Sequence, residues 1–196
     1  MNYRNRYVAW LLAVTACIYV PASHAVMIDV FARANSTVGG AGASTGVVLA
    51  AGEAFSVNVD ADDLWSAGQL PRWSNADGLV TALFASGSDD SGLPAGTQIG
   101  AAFGNLGLFG LSLPYGTLVG SIAGSFFPLG TNFSGNAVAA GELLLWYWDS
   151  NSFDNAEFVT ANVERRGGAV PEPATLALLA GALGLAGSAR RRHARC

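Results

Sequence analysis

The sequence predicts an all-β protein, a single antiparallel β-sandwich over residues 26–163, set between two apolar ends that are not part of the fold. Three observations lead there. Short segments in the middle of the chain alternate apolar and polar residues, the period of a strand with one buried face. Clusters of Gly, Asn, Asp and Ser separate them, with 25 glycines in 196 residues, as expected where many short strands are joined by turns. No long window in this region repeats with a helical period. The composition, 51% hydrophobic and 12% charged, excludes a disordered chain.

Met27 to Ala34 and Gly46 to Ala50 are the first strand candidates. Ala54 to Asp60 alternates most cleanly, with Phe55, Val57 and Val59 on one face. Leu79 to Ala85 and Thr117 to Ile122 follow, separated by a loop rich in Ser, Asp and Gly over Ala85 to Thr97. Glu142 to Trp148 (ELLLWYW) is apolar throughout, as in a central strand buried on both faces. Glu157 to Val163 alternates again, and residues 164–169 read as a polar linker. The chain shows no internal repeat.

The N-terminal end has three parts. Arg4 and Arg6 precede an apolar run from Val8 to Val20, and Ser23 and Ala25 place small residues before a cut after Ala25. That is the pattern of a secretory signal peptide, residues 1–25, removed by signal peptidase to leave Val26 as the mature start. Two other readings stay open. Val14-Thr15-Ala16-Cys17 has the form of a lipobox, which would lipidate Cys17, and the run could remain as an uncleaved anchor, although thirteen apolar residues is short for a span, which takes about 20.

At the other end, Val170-Pro171-Glu172-Pro173 is followed by an apolar segment, Ala174 to Ala189, and then by Arg190-Arg191-Arg192. Proline is tolerated at the start of a helix and not inside it, so the helix begins at or after Pro173. Sixteen residues make about 24 Å of helix, short against a hydrocarbon core of about 30 Å. Snorkelling arginines on the cytoplasmic side would cover the difference. A plain single-span anchor fits the same features. The order of Pro-Glu-Pro, short apolar helix and terminal arginine cluster over residues 170–196 resembles the PEP-CTERM sorting signal. The resemblance implies a Gram-negative bacterium that makes exopolysaccharide. It also implies transient anchoring in the inner membrane, recognition by an exosortase, and release to the cell surface or matrix.

Charge and residue inventory restrict the chemistry. Between Val26 and Val170 there are four arginines, no lysine and thirteen carboxylates, a net of −9. Such a surface repels phosphate backbones, so nucleic acid is not an expected partner. Cys17, Cys196, His24 and His193 all lie in the ends. The middle therefore has no disulfide, no thiol nucleophile, no His-assisted catalysis and no His or Cys zinc site. Carboxylate, amide, hydroxyl and indole remain, a set suited to hard cations and sugars.

The densest polar constellation is Asp149-Ser150-Asn151-Ser152-Phe153-Asp154-Asn155, between the last two strands. Calcium takes six to eight oxygens, carboxylate, amide and carbonyl alike. The loop lacks the EF-hand spacing, and hairpin turn chemistry would use the same residues. Asp60 to Gly68, Trp73 to Gly78, Pro114 to Ile122 and Trp148 to Val163, taken in that order, resemble the calcium-dependent galactophilic lectins of bacteria. The resemblance runs from Ser44 to Val163 and implies a galactose-binding-like or jelly-roll type of sandwich. It also implies a calcium ion held by Asp149, Asp154, Asn155 and the carbonyl of Ala67. The sequence departs from that family in a shorter last loop closed by Asp154-Asn155 instead of an amide pair, and in having no counterpart of the sugar-contacting histidine. Trp65 and Trp73, beside loops, are the candidate platforms for stacking on sugar rings.

The function expected is thus binding, not catalysis. The first reading is a secreted, exosortase-processed module that binds polysaccharide with the help of Ca2+. The alternative is a structural or adhesive matrix protein without a defined ligand. A glycoside hydrolase would need a carboxyl pair across a cleft, drawn from Glu53, Glu142, Glu157 and Asp77.

Overall fold

The computed structural model describes residues 25–166. The signal-peptide run with Cys17 and Ser23, the Pro-Glu-Pro motif, the 174–189 helix and the arginine cluster lie outside the described residues. Among the described residues there are fourteen strands and no helix. The chain begins with β1 (Ala25–Phe31), β2 (Ala43–Leu49) and β3 (Ala54–Val59). Six short strands follow: β4 (Trp65–Ser66), β5 (Trp73–Ser74), β6 (Leu83–Phe84), β7 (Gln98–Gly100), β8 (Asn105–Leu108) and β9 (Leu111–Pro114). It closes with β10 (Leu118–Ile122), β11 (Ser125–Pro128), β12 (Asn132–Asn136), β13 (Gly141–Tyr147) and β14 (Phe158–Arg166).

Two four-stranded antiparallel sheets make the body, in the orders β1-β14-β3-β12 and β11-β10-β13-β2. The strands pair as a nest: β1 with β14, β2 with β13, β3 with β12, and β10 with β11 as a hairpin. Strand alternation then decides the core. In β3, Phe55 and Val57 point inward, and Val57 sits opposite Val163 on β14 and Phe133 on β12. From the facing sheet come Val47, Leu49, Leu118, Ile122, Leu143, Leu145 and Tyr147, all buried in the same cluster. The six short strands pair as three hairpins outside the large sheets. They carry a second, small core of Leu64, Ala85 and Ile99, against which Trp73, Leu83 and Leu93 pack.

Three expectations are corrected. The ELLLWYW strand is buried on one face and not on two: Leu143, Leu145 and Tyr147 point inward, and Leu144 and Trp146 are half-buried on the outer face. A sandwich strand has only one inner face. Its apolar outer face is explained by a local cover, Phe126 at 5.5 Å from the Trp146 ring. Of Leu79 to Ala85, only Leu83–Phe84 becomes a strand. The residues expected as a linker from 164 onward are in part strand, since β14 runs to Arg166 and pairs with β3 as far as Ala54. Their polarity has a partner. Arg165 donates to Glu53 Oε1 from Nε at 2.9 Å and from Nη2 at 2.6 Å. Glu53 Oε2 in turn accepts from the Ala50 amide at the β2–β3 turn.

Leu145 is fully buried at the centre of its sheet. Leu145→Ala should cost about 2–5 kcal/mol in urea denaturation. Val48→Ala, on an exposed position of neighbouring β2, should stay within about 0.5 kcal/mol. Equal losses at the two positions would contradict this assignment of inner and outer faces.

Candidate functional site

The segment after β13 is held from two sides. The Thr37 hydroxyl donates to the Asp149 carbonyl at 2.9 Å and accepts from the Asp149 amide at 3.1 Å. The Trp148 amide donates to Thr117 O, and the Gly116 amide donates to Trp148 O. Asp149 therefore leaves the sheet with a fixed backbone, and its carboxyl turns inward, 4% exposed. Across from it, Ser66 in β4 exchanges both backbone bonds with Ala156, at 3.0 and 3.1 Å. That pairing brings the turn at 67–68 over the 149–155 loop. Gly68 has φ +117°, a region open to glycine, and a Cβ there would stand 2.5 Å from Asp154 Oδ2. Glycine is thus needed at 68 both for its backbone and for the approach of the carboxylate.

The result is a cavity of about 200 Å³ lined by Ala67, Arg72, Phe103, Tyr115 and the 149–154 loop, including both aspartates. Within it, Asn151 Nδ2 donates to Asp154 Oδ1 at 2.6 Å, and the Ser150 amide donates to Asp149 Oδ1 at 2.6 Å. Burial pushes the Asp149 carboxyl above its ordinary range, against hydrogen bonds from Ser150, Asn155 and Asn151, and the charge of Asp154 adds to the push. Asn155 is 5% exposed. Its Nδ2 donates to Ala32 O at 3.1 Å, while its Oδ1 is buried with no hydrogen-bond partner.

Of the four residues expected to hold calcium, Ala67, Asp149 and Asp154 share this cavity. Asn155 lies behind it and also borders a more open depression formed with Phe31, Arg33 and Phe153. Within the cavity the donors open to a hard cation are two carboxylates and the main chain at Ala67, and the orphaned amide oxygen of Asn155 stands outside its lining. No third carboxylate joins the pair among the described residues.

The two tryptophans expected as sugar platforms divide: Trp65 is contradicted, and Trp73 is half-buried away from this cavity. Trp65 is fully buried, edge-on to Tyr147 at 4.5 Å, and its Nε1 donates to Asn75 O and Gly116 O. It is a core residue and offers no face to a sugar. Trp73 packs on the small second core and does not line the cavity. The aromatic wall is instead Phe103 and Tyr115, edge to face at 5.2 Å. Arg72, absent from the sequence-based set, places its guanidinium 4.5 Å over the Phe103 ring. No local pattern marks Arg72 and Phe103 as neighbours, since thirty residues of turns and short strands lie between them. The four carboxyls available to a hydrolase are engaged separately. Glu53 holds Arg165, Glu142 accepts from Ser44 and Gly46, Asp77 accepts from Thr131, and Glu157 borders the open depression.

A family model for the PEP-CTERM protein-sorting motif matches residues 169–192. The chain carries a PEP-CTERM sorting signal. The motif implies export and membrane-associated sorting to the cell surface. Comparison with curated proteins returns no match. Among solved structures the chain is similar to one described as "EclA N-terminal domain; PllA-like lectin", at 19% identity, with a TM-score of 0.45, over 72% of this chain and 95% of that one.

A carboxyl raised by the fold binds its proton more tightly folded than unfolded. Its ionisation therefore lowers stability as pH rises from the ordinary carboxylate value, about 3.9, through the raised folded value. In the presence of a chelator, Asp149→Asn should melt above the wild type at pH 7, and the two should converge near pH 3. A variant less stable than the wild type at pH 7 under these conditions would contradict the burial argument.

Proposed function

We propose that the β-sandwich is a calcium-dependent carbohydrate-binding module, delivered to the cell surface or extracellular matrix of a Gram-negative bacterium through exosortase processing of its PEP-CTERM signal. The observation that carries the binding reading is the cavity between the 67–72 turn and the 149–154 loop. It joins a nearly buried carboxylate, a second carboxylate and an aromatic wall, beside an amide oxygen with no partner. The nested pairing of the eight long strands supports the jelly-roll type of sandwich.

Asp149, Asp154, Asn155 Oδ1 and the Ala67 carbonyl are the groups that would hold the ion. A bound calcium ion supplies two positive charges and open coordination positions for vicinal sugar hydroxyls. The protein's part is to hold the donors still. Thr37 clamps the Asp149 backbone, Asn151 orients Asp154, and Gly68 lets the 67–68 turn close on it. Tyr115 and Phe103 present apolar surface to the C–H face of a ring. A second reading, adhesion within the matrix without a defined glycan, draws on the exposed aromatics Phe109 and Phe153, at 59% and 73% exposure.

Calcium at about 100-fold above its Kd should add about 2.7 kcal/mol, a rise of several degrees in Tm. Asp154→Ala should nearly abolish the rise, and Asp89→Asn, in the separate 86–92 turn, should leave it intact. A wild-type Tm unmoved by calcium or chelator would remove the ion from the proposal. Glycan-array binding that is absent both with and without calcium would leave the adhesive reading in its place.

Processing has its own measurement. Mass spectrometry of envelope and matrix fractions should find an N-terminal peptide starting at Val26 and no peptide containing Arg190 to Cys196. Recovery of the arginine tail from exosortase-competent cells would refute cleavage.

A further inference from the structure

Arg72 is the only cation among the residues lining the cavity. Its main chain is tied down: its carbonyl accepts from the Ala67 amide at 2.9 Å, and it bridges Gly100 in antiparallel fashion. Its side chain is also placed. The guanidinium lies 4.5 Å over Phe103, and Phe103 is braced edge to face by Tyr115. Across Gly68 it faces Asp154. From the point a Gly68 Cβ would occupy, Asp154 Oδ2 is 2.5 Å away and Arg72 Nη1 is 3.7 Å away.

The two groups nevertheless do not pair. Among the described residues the one ion pair within 4.0 Å joins Arg165 to Glu53. A guanidinium has five N–H donors in a planar fork, and none of those of Arg72 meets an acceptor among the described residues. Held over an aromatic face, a half-buried guanidinium keeps its fork free for a planar anion, the arrangement that suits a carboxylate bidentately.

We infer that the cavity takes an acidic saccharide, a uronate or similarly carboxylated sugar unit of a matrix polysaccharide, with its carboxylate received by Arg72 and its hydroxyls turned to the Asp149–Asp154 end. This rests on the carbohydrate-binding reading above and names its substrate class. The charges agree. Asp149, Asp154 and Arg72 together carry −1, which repels an anion. A divalent cation on the two aspartates turns the cavity to +1, so an acidic sugar is accepted only when the ion is in place.

The test uses the protein purified from the cells that export it, titrated calorimetrically in calcium with glucuronate and galacturonate, each against its own methyl ester. One uronate should bind about tenfold or more tightly than its ester, the scale of a charge-assisted pair, and chelation should remove its binding. Arg72→Gln should close the gap between acid and ester while retaining the calcium-induced rise in Tm, and Arg72→Lys should restore part of it. Phe103→Leu, which leaves every charge in place, should narrow the gap by loosening the guanidinium. Equal binding of acid and ester by the wild type, or a gap that survives Arg72→Gln, would overturn the acidic-sugar assignment and leave the carbohydrate reading standing. Acetate competing as well as the uronate would reduce the site to a bare carboxylate site and also overturn it. Failure of every acid and ester to bind would overturn the acidic-sugar assignment, and the glycan array would then decide the carbohydrate reading by itself.

Discussion

The site depends on one buried contact, the edge of Trp65 against the ring of Tyr147. Tyr147 ends β13, a central strand of its sheet, and Trp65 opens the first of the short hairpins. Their packing fastens the 60–117 insertion to the sandwich. The indole N–H, shared between Asn75 O and Gly116 O, adds two more points of that insertion to the same anchor. Next to it, Ser66 pairs with Ala156. With Trp65 fixed below and Ser66 fixed beside, the turn at 67–68 has one place to go, over Asp154. Without that anchor the cavity would have only its 149–154 wall.

Among the described residues five buried side-chain atoms have no hydrogen-bond partner; Ser56 Oγ and Asn162 Oδ1 lie on the β3–β14 pair, and the other three lie near the site. Tyr147 Oη and Ser74 Oγ lie 3.4 and 2.6 Å from the point a Gly116 Cβ would occupy, next to cavity-lining Tyr115. Neither has a hydrogen-bond partner, and Asn155 Oδ1 is a third such atom in the same region. Folded proteins satisfy the great majority of buried polar groups, and exceptions concentrate where a ligand, ion or water completes the set. Burial pushes the Tyr147 phenol well above its ordinary value, and the charges of Asp149 and Asp154 add to the shift. A region that concentrates negative charge and open lone pairs beneath a cavity is built against its own stability. On the calcium reading, a bound cation would offset that cost.

The sequence was legible where a physical constraint is local. Phe55 and Val57 announce an inner face because alternation is a property of the strand itself. The 149–155 loop stands out because two carboxylates, two amides and two hydroxyls within seven residues are rare in any single turn. Legibility ended where the constraint is tertiary. Trp65 sits beside an acidic turn and reads as exposed, but its environment is set by Tyr147, 82 positions on. Arg72, Phe103 and Tyr115 converge only because three short hairpins fold over the sheet end, and no periodicity encodes that. Arg165 and Arg166 read as linker because charge is a loop signal until Glu53, far away in sequence, is seen to pair with it.

On the calcium reading, the address and the site constrain each other. A protein that carries an export and sorting signal folds outside the cytoplasm, and its only two cysteines lie at 17 and 196, outside the sandwich. Disulfide staples are therefore not what holds the 149–155 loop. A site with two carboxylates and otherwise neutral oxygens sits at the weak end of the calcium range, about 10⁻⁴–10⁻³ M for extracellular modules. Such affinity is useless where free calcium is scarce and sufficient where it is abundant. On the calcium reading, the loop stays frustrated by its own charges until export and closes once the chain reaches the medium in which its ligand is also found. Two charged ligands, too few for a tight sensor, then match the place to which the sorting signal sends the protein.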